Sequence, residues 1–155
     1  MDSKQNSGKV KMKKMTVSRA EKNCNPGNIR QSTDLFNGEI RPSRDPEFKQ
    51  FRDMNYGFRA MWSVLKSYYY RHGLYTIREI INRWAPPTDH NPSEAYIRFV
   101  SEHSGKEPKE RLRFNYEGMS GVVMAMARFE TGSFHKEWEA NCKHGYEMLF
   151  RRKIG

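Results

Sequence analysis

The sequence predicts an α+β domain, mainly α, with a small irregular β element near the N-terminus. Three observations predict it. From residue 57 onward apolar residues recur at helical spacing. Between residues 19 and 56 turn formers dominate, with short extended pieces between them. The chain has 155 residues, the size of one domain.

Residues 1–18 are polar, basic and aperiodic, and read as a disordered tail; residues 19–155 read as one compact domain. Lys4, Lys9, Lys11, Lys13, Lys14 and Arg19 against Asp2 supply about half of the formal charge of +10. Such a charge attracts nucleic acid, an anionic membrane surface or the anionic bacterial cell wall. No apolar run is long enough for a membrane span, and the basic start lacks the apolar stretch of a secretory signal. Two cysteines form neither a disulfide framework nor a four-thiolate metal site, and a Cys24–Cys142 bond requires the fold to join them. The five histidines show no HxxxH or HxH pair, so no metal and no cofactor is expected.

Asn25-Pro26-Gly27-Asn28, Asn37-Gly38, Arg41-Pro42-Ser43 and Asp45-Pro46 are turns. Ile29-Arg30, Gly38-Glu39-Ile40 and Phe48–Phe51 are the extended pieces between them. Phe58, Met61, Trp62, Leu65 and Tyr69 form the stripe of a first long helix, with Tyr69 facing the core and Gly73 ending it. Thr76 and Glu79 form a capping box ahead of the Ile77, Ile80, Ile81 and Trp84 stripe, which Pro86-Pro87 stops. Asn91-Pro92-Ser93-Glu94 reads as the next start, with Asn91 as N-cap and Tyr96, Phe99 and Val100 buried. A further helix opens at Ser120, carries Val122, Val123, Met126 and Phe129, and ends at Gly132. A short terminal helix holds Tyr146, Leu149 and Phe150, with Arg151, Arg152 and Lys153 suited to its C-terminal dipole.

Glu130 is the first candidate for chemistry. It sits at the negative end of a helix dipole, which favours the protonated carboxyl, and Phe129 and Phe134 supply an apolar wall. A carboxylic acid kept protonated is what a glycosidase needs as general acid. The alternative is a solvent-facing glutamate paired with Arg128. The stiff loop after Trp84 carries Thr88, Asp89 and His90; Asp89 is a candidate second carboxylate, and the alternative is a plain helix connector. Asn25 and Asn28 are either turn residues that satisfy their own backbone or a polar wall for a sugar or peptide. Tyr68-Tyr69-Tyr70 points in three directions, and no helix concentrates Lys and Arg on one face as a nucleic-acid groove reader would.

Read in order, NPGNIR (residues 25–30), the Gly38-Glu39-Ile40 piece, Phe48 and Phe51, GFRAM (57–61), TIREIINRWAPP (76–87) and YIRFV (96–100) resemble a small phage and prophage family. That family is described as virion structural proteins or lysozyme-like peptidoglycan-degrading domains. The resemblance covers about residues 22 to 133. Where the family carries Ser-Glu-Asn after the double proline, this chain has Thr88-Asp89-His90. Separately, Glu130-Thr131-Gly132 is similar to the helix-end Glu-Ser-Gly of lytic transglycosylases.

The resemblance implies a lysozyme-like α+β fold and contact with the bacterial cell wall; joined to the reading of the residues, it leads to the expectation of a domain that cleaves the β-1,4 glycan backbone of peptidoglycan. Glu130 would be the acid and Asp89 the electrostatic or base partner. Asn25, Asn28, Trp84, Thr88, His90 and Thr131 would bind substrate. It also implies a virion-associated protein, or one made in the cytoplasm and released to the envelope without a signal peptide, with other virion proteins as partners. A non-catalytic virion or wall-binding protein is the alternative, and a nucleic-acid-binding module the third reading.

Overall fold

The computed structural model describes residues 17–151, and the fold is α+β and mainly α. The expected basic tail lies outside the described residues as far as residue 16, as do Arg152 and Lys153. The helices are α1 (Arg19–Lys22), α2 (Met54–His72), α3 (Ile77–Trp84), α4 (Ser93–Ser104), α5 (Tyr116–Thr131) and α6 (Trp138–Phe150). A two-stranded antiparallel sheet pairs β1 (Glu39–Ile40) with β2 (Gln50–Phe51), in register Glu39 to Phe51. Arg30 bridges Phe48 beside it, so all three expected extended pieces join one small β element. No helix among the described residues is long and apolar enough to cross a membrane.

Helix α2 is the spine. It packs along α6, while α5 lies against both α4 and α6, and α3 closes on α4. Phe58, Met61, Trp62 and Leu65 of α2 are fully buried, as the periodicity requires. Trp62 donates its indole N–H to the Cys142 carbonyl at 3.1 Å, which satisfies the one polar atom of a core tryptophan. The rings of Phe114, Tyr116 and Tyr146 surround it. Cys24 and Cys142 are free thiols, and burial pushes the Cys142 thiol up to about 12.

Several boundaries differ from the sequence reading, each for a local reason. Helix α2 starts at Met54, because the Asp53 carboxylate accepts the Tyr56 N–H. Helix α5 starts at Tyr116, not near Ser120, because Asn115 accepts the Gly118 N–H at 2.7 Å. Asn91 does not cap α4; its amide donates to the Pro86 carbonyl at 2.9 Å and ties the connecting loop shut. Thr76 caps α3 as expected, while Glu79 reaches back to the Tyr75 N–H. Ile97, not Phe99, is the fully buried partner of Tyr96 and Val100. Tyr69 is half-buried and donates to the Leu112 carbonyl; Tyr68 packs edge-on against Trp84. Helix α6 buries Trp138 and Cys142, with Tyr146 and Leu149 half-buried at its edge.

A close approach at Gly57 seats the N-terminal segment on α2. A side chain at Gly57 would place its Cβ 2.1 Å from the Cys24 carbonyl oxygen, so the Cys24–Asn28 turn lies directly on the α2 backbone. Behind it, Lys49, just before β2, is fully buried and its ammonium donates to the carbonyls of Ser32 and Asp34 and to Glu39 Oε2 at 3.0 Å. Every proton of that ammonium has an acceptor, which is the condition under which a buried lysine is tolerated.

Two substitutions test these contacts. Gly57→Ala must push the Cys24 turn off α2 and is expected to cost about 1–3 kcal/mol in urea unfolding. Lys49→Met strands the buried Glu39 carboxylate with Arg41 alone and is expected to cost about 3–5 kcal/mol in the same measurement.

Candidate active site

Glu130 occupies the last turn of α5, half-buried at the edge of an open cleft of about 600 Å³. The helix brings it there because Met126 and Ala127 are fully buried, which turns the next side chain of that face toward the α3–α4 loop. The alternative, a pairing with Arg128, is not what forms: Arg128 lies over the Phe134 ring, 5.0 Å from its centroid. Phe134 is therefore not a wall of the Glu130 site, whereas Phe129 stacks on Tyr96 with centroids 4.0 Å apart.

One carboxylate oxygen of Glu130 accepts the Tyr96 hydroxyl at 2.8 Å. Tyr96 is buried, so its hydroxyl has a fixed position and one partner. Burial raises the Glu130 carboxyl above the ordinary glutamate range, and hydrogen bonding from Tyr96, Trp84 and Asn28 draws it part of the way back. Burial and the neighbouring carboxylate push the Tyr96 phenol well above its ordinary value, so it stays a donor.

Trp84 ends α3 and Asn28 ends the N-terminal turn, and both line the cleft with Glu130. Asn28 holds a left-handed backbone at φ 51°, a conformation asparagine tolerates. Its side-chain oxygen is buried without a partner, an acceptor left open beside the acid. Gly27 allows this placement, since a Cβ there would meet Trp84 at 2.8 Å and Met61 at 2.9 Å.

The structure divides the remaining candidates. Asp89 ends the 3-10 turn Pro87–Asp89, is exposed, and lines the same cleft as Glu130. Thr88 and His90 are exposed on that loop but do not line the cleft. Asn25 is fully buried and clasps its own turn: its amide donates to the Ile29 and Lys49 carbonyls, and its oxygen accepts the Ile29 N–H. Thr131 is buried and spends its hydroxyl on the Ala127 carbonyl at 2.7 Å.

The sequence reading missed four cleft contributors. Tyr96 was assigned only to the core; the signal was a hydroxyl on a buried helix face, which must find a partner. Tyr68, Arg30 and Arg83 line the cleft, Arg83 lying over the Tyr68 ring and Arg30 over Phe48. No sequence spacing relates them. Among the described residues no three His, Cys, Asp or Glu side chains converge to hold a metal ion. The site thus combines one acid of raised pKa, one exposed carboxylate, aromatic faces and an unpaired amide oxygen.

No protein-family model matches the chain. It is similar to protein P5 of Pseudoalteromonas phage PM2, with 35% identity over 137 residues that cover 86% of this chain and 83% of the phage protein. Identity and coverage at that level place it plainly: the chain belongs to the family of phage protein P5.

Proposed function

We propose that the protein is a phage-type, lysozyme-like enzyme, associated with the virion, that cleaves the β-1,4 glycan backbone of bacterial peptidoglycan. The observation that carries this is Glu130, a half-buried carboxylic acid held by Tyr96 at the edge of an open cleft. Its raised pKa keeps a proton available nearer neutrality, and the proton goes to the glycosidic oxygen as the bond to the anomeric carbon breaks. Trp84 and Tyr68 offer apolar faces to sugar rings, and Asn28 lines the cleft beside the acid. Asp89, across from the acid on a stiff loop, stabilises the cationic transition state or activates water. A transglycosylase outcome needs Glu130 alone, because a hydroxyl of the substrate then attacks. Membership in a phage protein family supports the setting.

Incubation with purified peptidoglycan, followed by mass analysis of soluble products, tests the reading. Muropeptides with reducing or anhydro ends are expected and tell hydrolase from transglycosylase. Intact glycan with the protein pelleting alongside it overturns catalysis and leaves a wall-binding protein.

Glu130→Gln is expected to lower the rate by about 10²–10⁴-fold. The same change tests the pKa. A carboxyl whose folded pKa is raised favours folding below the unfolded glutamate pKa and loses that favour as pH rises through the folded value. Glu130→Gln should therefore melt at or above the native temperature at pH 7, with the gap closing below about pH 4. Tyr96→Phe removes a bond that favours the ionised carboxyl, so the alkaline limb of the rate profile should move to higher pH with little change in melting temperature.

A further inference from the structure

A second concavity of about 660 Å³ adjoins the Glu130 cleft, and the two share Val64, Tyr68 and Arg83 as lining. Its charge is one-sided. Arg59, Lys66, Arg71, His72 and Arg83 line it against the single carboxylate of Asp34. None of these arginines and lysines forms an ion pair among the described residues. Lys66 lies over the Phe150 ring and Arg83 over Tyr68, contacts that fix the side chains without neutralising them. The sequence reading found no helix with its cations gathered on one face; the fold gathers them by adding Arg83 of α3 to three residues of α2.

Cations facing one groove repel each other and draw anions into it. Along α2, Arg59 and Arg71 stand about 18 Å apart at the helical rise. That spacing suits an extended ligand with separated charges rather than one compact anion. The neighbouring cleft lacks that one-sided charge, since Arg30 and Arg83 line it together with Asp89 and Glu130. A nucleic acid strand with a charge on every phosphate would be drawn into the groove but would meet no excess of cations in the cleft. Peptidoglycan has the matching distribution: a glycan free of charge, and peptide stems that carry free carboxylates.

We propose that this groove binds the carboxylates of the peptide stems while the adjoining cleft holds the glycan, so that the protein selects stem-bearing strands. The proposal rests on the peptidoglycan reading above and assigns the cationic groove a specificity role within it.

The test uses the full chain and the triple variant Arg59→Gln/Lys66→Gln/Arg71→Gln, all outside the Glu130 cleft. Binding and cleavage are measured on stem-bearing peptidoglycan and on the same glycan after an amidase has removed the stems. The native protein is expected to prefer stem-bearing strands at low salt. The variant should lose roughly tenfold in affinity or KM on them, and nothing on stripped glycan. Equal behaviour of variant and native protein on stem-bearing strands overturns the proposal. So does a variant that loses binding to a DNA duplex while keeping its hold on stem-bearing strands. If the native protein cleaves neither substrate, the glycan-cleaving reading fails, whereas stem-dependent binding lost in the variant still supports the groove.

Discussion

The seating of the Cys24–Asn28 turn on helix α2 is the contact on which the candidate site depends. Gly57 lets the Cys24 carbonyl lie on the helix backbone, and Gly27 lets Trp84 and Met61 close on the other side of the turn. With the turn so placed, Asn28 stands beside Glu130, although the two are far apart in sequence. Asn25 locks the turn internally, so its side chain serves the geometry rather than the ligand. Lifting the turn would remove one wall of the cleft and weaken the burial that raises the Glu130 pKa.

A two-stranded sheet of this size is not stable by itself. Buried polar contacts do here what a larger sheet would do with ladders. Arg19 beside Asp45, joined by Asn23 and the N–H groups of Glu47 and Phe48, holds the Asp45 carboxyl below the usual carboxylate range. Lys49, beside the strand, gathers the 32–39 loop in the same way. The helical part rests on apolar packing around Trp62. A soft-looking N-terminal segment is thereby rigid enough to carry half of a cleft.

Charge is distributed along this surface with a purpose that the net +10 conceals. The cleft sets Asp89 and an acid biased toward its neutral form against Arg30 and Arg83, and the groove beside it holds cations with little to balance them. Arg83 marks the border, its guanidinium over Tyr68. Under the proposed function, an uncharged glycan with charged stems would meet a different electrostatic surface with each of its parts.

Much of the fold was legible in the sequence because it rests on local rules. The isoleucine stripe of α3, the Thr76 cap, the stop at Pro86-Pro87 and the mainly α class follow from spacing and capping chemistry. The place of Glu130 at the end of an apolar helix was also legible, whereas its half-burial in a cleft was not. Caps supplied by residues outside the apolar stripe, such as Asn115, escaped a reading anchored on that stripe. Tertiary structure alone decided the rest. Tyr96 reaches Glu130 because α4 packs on α5, Asn28 reaches it because two glycines admit the turn, and the cationic groove exists because α3 crosses beside α2. Local spacing determines which face of an element is apolar; which atoms of different elements meet depends on how those faces pack, and no spacing along one chain encodes that distance.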